Sequence, residues 1–452
     1  MTTTPVRIDD ATAVALHHRL AVEQSEKRLP SVAAALVRGG ERVWSGAAGQ
    51  LDGRASSPEA TTDTQYRIGS LTKTFVAVQV MRLRDEGRLE LGDVVGRHLP
   101  ELDLPISVAQ LLSHTSGLQA ETSGPWWERA PGDDWSALLA SRPQLLFAPG
   151  TRFHYSNVGF GVLGELVARL RGAPWPAVLT EEILQPLRMH RTTFRPQGPS
   201  APGLAVHPFA DLLHHEPEHD AGAMAPAGQL WSTADDLARW AAFAAGTTAD
   251  VLSPETLTES QRPVALWDDP TNTWATAHAL GWQVSVADGR RFVGHGGSMP
   301  GFLAQLRVDT ATGDGAVVLA NATSGLGPLG PDLLRILAQR APQDPQPWTA
   351  HGQQTGDLDL VGDWFWGTAR FTLTLRDDVL VLGQPGLGRG ARFERDGELW
   401  RGLEGYYSGE TLTVRRDDAG RPVQLDLASF AFTRTPYDTD GEVPGGLEGG
   451  WG

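Results

Sequence analysis

Ser70 and Lys73 stand three residues apart at the head of a mostly apolar stretch, GSLTKTFVAVQVMRLRDEG, in a chain of 452 residues. If that stretch is a helix, the two side chains share a face about one turn apart and can touch. Serine beside lysine is nucleophile chemistry. Burial disfavours the ammonium form and makes lysine a base, while a helix N-terminus favours negative charge developing on the serine oxygen. The lysine stands out because, of 38 basic residues, only Lys27 and Lys73 are lysine and the rest are arginine, which stays protonated. Lys27 lies in a polar EQSEKR run and reads as a solvated face. With two lysines, a chance S-x-x-K is expected only about 0.1 times. The bland alternative is a capped helix with a snorkelling lysine.

Two further groups could join this pair. Tyr155-Ser156-Asn157 follows a Pro-Gly turn and precedes a helix, and a loop tyrosine can shuttle a proton or, equally, be a buried aromatic bonded to backbone. Gly294-His295-Gly296-Gly297-Ser298 lies on or beside a strand, where missing side chains let a substrate approach the backbone. His295 could orient a substrate or stabilise charge, although a lone histidine also serves as a satisfied structural group. His214, His215, Glu216, Glu218 and His219 sit close in sequence, but their spacing fits no zinc pattern.

These residues need elements to position them. Residues 8 to 28 read as an amphipathic helix, 31 to 49 as a hairpin, and the Ser70 stretch as a buried helix stopped near Gly87. From 88 to 250 the pattern is helical with long irregular connections. Between 278 and 322 lie three strand-like runs, ALGWQVSVADG, RRFVGHGGSMPGFLAQLRVD and GDGAVVLANAT, and GPLGPDLLRILAQR closes with a helix. Strands at both ends of a helical middle imply one sheet. The proline- and glutamine-rich stretch over 343–357 reads as a linker, and 358–452 alternates with a two-residue period, as in a small antiparallel barrel or sandwich.

Composition narrows the function classes. A net charge of -16 argues against nucleic acid or an anionic membrane as main partner. The absence of cysteine excludes disulfides, thiolate metal sites and a cysteine nucleophile. The opening MTTTPVRIDDATAVALHHRL lacks the basic start and apolar core of a signal peptide, so the expectation is a cytoplasmic chain with no membrane partner. The oligomeric state is not readable.

Taken in order, S-x-x-K at Ser70 to Lys73, Y-x-N at Tyr155 to Asn157, and His295 to Gly297 as a K-T-G counterpart make the chain resemble the serine β-lactamase and penicillin-binding-protein superfamily. It is most similar in pattern to class C β-lactamases, D,D-peptidases and family VIII carboxylesterases. LLSHTSGL (111–118) and AGQLWSTADDLARW (227–240) look like that family's connecting elements, and the terminal barrel resembles a lipocalin-like appendage.

The resemblance implies an α/β (α+β) fold, with an antiparallel sheet flanked by helices plus a helical subdomain over 1–342, then the barrel. It implies Ser70 as nucleophile, Lys73 as base, Tyr155 as proton relay, and Asn157 holding the substrate and Lys73. His295, Gly296 and Gly297 would line the substrate, with the N–H groups of Ser70 and Ser298 as oxyanion hole. No metal or organic cofactor is implied. The family also places the segment carrying Trp126, Trp127 and Trp135 near the pocket entrance, where they would line a pocket or simply pack the helical region. Because β-lactamases usually carry K-T-G where this chain has H-G-G, the expectation is a carboxylesterase acting on small uncharged esters or amides. The alternatives are an acyltransferase using the same acyl-enzyme, a β-lactamase, a D-aminopeptidase or D,D-peptidase, and a catalytically idle protein whose barrel holds a ligand.

Overall fold

A computed structural model describes residues 8–268, 271, 274–345, 347–350, 357–383 and 388–436. Much of the expected linker and the last sixteen residues lie outside the described residues. The chain divides into two compact units, Met1–Gln343 and Asp344–Gly452.

The first unit is built on an antiparallel sheet of eight strands. In chain order they are β1 (Ser31–Arg38), β2 (Glu41–Gly49), β3 (Ala265–Leu266), β4 (Thr276–His278), β5 (Gln283–Ala287), β6 (Arg290–Met299), β7 (Phe302–Asp309) and β8 (Gly315–Ala320). Their spatial order is β2-β1-β8-β7-β6-β5-β4-β3, so the first hairpin pairs with the last strand of this unit, Val32 opposite Ala320. The long run from Arg290 to Asp309 is two strands rather than one, because the chain turns at Pro300-Gly301 and pairs Met299 with Phe302.

Both faces of the sheet are covered, which is why β1 reads SVAAALV without polar alternation. On one face Val32, Leu36 and Val318 pack with Leu16 and Leu20 of helix Asp10–Glu26 and with Leu333 and Leu337 of helix Leu329–Arg340. On the other, Ala33, Val37, Val317 and Leu319 join the larger core, which includes Phe75, Val76 and Val80 of helix Thr72–Asp85, Phe160 and Leu166 of helix Asn157–Arg171, and Trp240 of helix Ala234–Ala244. The Thr72–Asp85 helix is buried at almost every position, as its sparse polar residues suggest.

The second unit is a closed antiparallel barrel of eight strands running from Gly362–Trp366 to Phe430–Thr433, closed by Phe365 opposite Thr433. Trp364, Phe393, Trp400, Tyr407, Phe432 and several leucines fill its interior, as expected for a small barrel. Among the described residues of the whole chain, no helix is long and apolar enough to cross a membrane.

Candidate active site

Ser70 sits in a single 3-10 turn, Gly69–Leu71, that feeds the Thr72–Asp85 helix. Gly69 has φ +53°, and a Cβ there would stand 2.6 Å from the backbone nitrogen of Ser298 on β6. A Cβ on Gly297 would stand 2.0 Å from the carbonyl oxygen of Ile68. Glycine at both positions lets strand and turn touch backbone to backbone. The turn is pinned from its other side: Ile68 N–H donates to the Leu230 carbonyl at 2.8 Å, and Leu230 N–H donates to Thr72 Oγ1 at 3.2 Å. Trp240 stacks on Phe75 at 3.9 Å and donates through Nε1 to Thr74 Oγ1 at 2.9 Å, which fixes the helix beneath the turn.

Lys73 is fully buried, and its Nζ donates to Ser70 Oγ at 2.9 Å and to the Ala227 carbonyl at 2.6 Å. Burial penalises the ammonium and pushes its pKa down to about 7, although the carboxylates of Glu121 and Glu128 pull the other way. A lysine in this state is half neutral near pH 7 and can take a proton from the hydroxyl it touches. Nζ lies 5.0 Å from the ring centroid of Tyr155. Burial raises the Tyr155 phenol above its ordinary pKa, opposed by its contact with the Ser70 hydroxyl, so the tyrosine is a protonated donor at neutral pH.

Ser156 caps the Asn157–Arg171 helix, accepting from Gly159 N–H at 3.0 Å and donating to the Gln119 carbonyl at 2.6 Å. Asn157, the first residue of that helix, donates through Nδ2 to Glu121 at 2.6 Å rather than engaging Lys73. The reason is local. The Lys73 amine is already bonded to Ser70 and Ala227, and a carboxylate oxygen is a strong acceptor for an amide donor.

His295 is buried on β6 with Nδ1 at 2.5 Å from the Gly296 carbonyl, an acceptor, so Nδ1 carries the proton. Burial, reinforced by the charge on Lys73, pushes its pKa down to about 3, so the ring is neutral. Gly296 is exposed, and its N–H donates to Gln283 at 3.0 Å.

The three tryptophans separate. Trp127 is buried and donates to Glu121 at 2.7 Å, and a Cβ built on Gly228 would stand 3.6 Å from its ring and 3.7 Å from the Gly69 carbonyl carbon, which puts Trp127 beside the nucleophile turn. Trp126 is exposed, lies over Arg129 at 5.2 Å and donates to Glu128 at 2.9 Å. Trp135 donates to Glu101 at 3.0 Å and lines a different cavity, with Gly161 and Glu165. His219 contacts the Trp127 carbonyl at 2.8 Å, and Glu216 pairs with Arg129. Among the described residues, no group of three or more histidine or acidic side chains is placed to hold a metal ion.

Four contributors escaped the sequence reading: the Ala227 carbonyl, Glu121, Glu128 and His114. Glu121 and Glu128 follow HTSGL within a segment of no regular pattern, so only their nearness to the tryptophans could have flagged them. A cavity of about 780 Å³ opens beside Tyr155, lined in part by Thr115, Arg152, Phe153, Val264 and Leu266, a size typical of ligand pockets.

The family model described as Beta-lactamase matches residues 15–341, and one described as a domain of unknown function (DUF7586) matches residues 353–434. Beta-lactamase-like protein 2 of Dictyostelium discoideum is 29% identical over 265 residues, covering 55% of this chain and 48% of that protein, so the chain spans about half the length of that relative. Penicillin-binding protein 4 of Amycolatopsis lactamdurans is 29% identical over 341 residues, covering 70% of this chain and 87% of that protein. The crystal structure of a D-stereospecific amidohydrolase from Streptomyces superposes with a TM-score of 0.58 at 25% identity, covering 73% of this chain and 98% of that one.

Proposed function

The chain belongs to the β-lactamase family of serine hydrolases, and from that premise we propose that it hydrolyses small esters or amides through an acyl-enzyme on Ser70, most readily as a carboxylesterase. The observation that carries the reading is the buried Lys73 amine, with a pKa near 7, bonded to Ser70 Oγ at 2.9 Å.

The neutral amine of Lys73 takes the Ser70 proton as Oγ attacks the substrate carbonyl carbon. The negative charge on the tetrahedral oxygen would fall to the N–H groups of Ser70 and Ser298, a reading supported by the close approach of the neighbouring Gly69 to the Ser298 backbone. Tyr155, still a phenol, donates its proton to the departing alcohol or amine and regains one from the Lys73 ammonium. Water then repeats the sequence on the acyl-enzyme, with an alcohol in place of water giving acyl transfer.

The preference for substrates without a carboxylate rests on charge. Where K-T-G would offer a lysine, this strand offers an imidazole held neutral, and two carboxylates, Glu121 and Glu128, act electrostatically on Lys73. A substrate carboxylate would meet repulsion there. The same two acids favour a second reading, an amidase for amino-acid amides whose free ammonium they would attract, and the likeness to a D-stereospecific amidohydrolase supports it. Turnover of a p-nitrophenyl ester, of nitrocefin, and of a D-amino-acid p-nitroanilide with and without N-acetylation separates these cases. Ester turnover far above the others supports the carboxylesterase. Dominant nitrocefin turnover defeats the charge argument, and a D-amide that fails once acetylated selects the amidase.

A further inference from the structure

Tyr155 owes its place to a neighbour that the proton transfers do not use. His114 ends the turn after helix Val108–Leu112 and is buried, with φ +58°, a left-handed backbone that side-chain-bearing residues rarely adopt and that persists where surrounding structure enforces it. Its imidazole lies nearly flat on the Tyr155 ring, with centroids 4.1 Å apart and planes 23° from parallel. Its Nδ1 accepts the Ser156 N–H at 3.0 Å, and its own carbonyl accepts the His154 N–H at 2.7 Å. One residue therefore holds the backbone on both sides of Tyr155 and the ring between. The far surroundings of the imidazole are aromatic: Phe160 at 5.2 Å, His278 at 5.6 Å and Phe153 at 5.9 Å. Burial, with His278, Lys73 and His295 nearby, keeps the ring uncharged and its Nδ1 lone pair available to Ser156.

We infer that His114 is a positioning residue for acyl transfer, whose ring face and left-handed backbone fix the phenol of Tyr155 against Ser70 and Lys73 without touching substrate or carrying a proton. This inference rests on the Ser70, Lys73 and Tyr155 assignment. It explains why a bulky residue occupies a conformation better suited to glycine: glycine would keep only the carbonyl bond to His154 and lose both the acceptor for Ser156 and the ring face.

The test uses His114→Asn and His114→Phe, with active sites counted by a fluorophosphonate so that misfolded protein drops out of the rate. Asparagine tolerates left-handed backbone and keeps a side-chain acceptor but has no ring; its kcat per titrated site should fall roughly 100-fold, with KM within about threefold, because a displaced proton donor slows chemistry rather than binding. Phenylalanine restores a flat face and should recover kcat to within about tenfold of wild type. A His114→Asn kcat within threefold of wild type would overturn the inference. A His114→Phe variant as slow as His114→Asn would also overturn it, by showing that the ring face on Tyr155 is not what the reaction needs. Full activity in Ser70→Ala would instead defeat the underlying assignment, a distinguishable failure.

Discussion

Replacing Lys73 by methionine should abolish turnover and, at the same time, stabilise the fold in a pH-dependent way. The side chain is fully buried, and its pKa falls from 10.5 to about 7 on folding. Between those values the unfolded chain binds more protons than the folded one, so stability rises with pH across that window. Below pH 7 the full penalty of burying the ammonium applies, on the order of 5 kcal/mol, and the same linkage leaves roughly 3 kcal/mol at pH 8.5. Methionine fills similar space and carries no charge, while the hydrogen bonds it forfeits to Ser70 and Ala227 matter about equally at either pH. The stability of Lys73→Met relative to wild type should therefore be about 2 kcal/mol more favourable at pH 6 than at pH 8.5. Guanidinium unfolding followed by tryptophan fluorescence at the two pH values reads this directly. A difference that does not change with pH, or that changes in the opposite direction, would refute the depressed pKa and with it the case for lysine as the base.

Lys73→Arg should be nearly as inactive as Ser70→Ala in ester hydrolysis, since a guanidinium cannot give up its proton; retained activity removes lysine from the base role. Glu128→Gln takes away a charge that favours the Lys73 ammonium, so the acid limb of kcat/KM, expected near pH 7 for wild type, should move to lower pH by roughly half to one unit. A limb that stays put or moves up would contradict that electrostatic arrangement. Leu337→Ala, in the helix that covers the outer face of the sheet, should destabilise the fold by about 2–5 kcal/mol in the same unfolding assay, and a loss below 1 kcal/mol would show that this face is not a packed core.

Local rules made the nucleophile pair legible: three residues on a helix bring Ser70 and Lys73 together whatever the rest of the chain does. Periodicity likewise exposed the first hairpin and the two-residue alternation of the barrel. It failed where a turn hid inside an apolar stretch, as at Pro300-Gly301, which divides Arg290–Asp309 into two strands. Pairings set by tertiary packing left no periodic mark. The partner of Asn157 is Glu121, a loop residue 36 positions away, and the Lys73 acceptor is a main-chain oxygen at Ala227, which any residue could have supplied. His114 sat in plain view in HTSGL, yet its stacking on Tyr155 depends on a left-handed backbone that residue type does not announce.

Intact mass after brief incubation with a p-nitrophenyl ester tests the nucleophile most directly. Wild type should gain the mass of one acyl group, mapped by peptide analysis to the segment containing Ser70, and release it on standing, while Ser70→Ala, which changes a helix start by only about 1 kcal/mol, stays folded and gains nothing. Turnover that survives in Ser70→Ala, or an acyl group found on another residue, would contradict the assignment of Ser70.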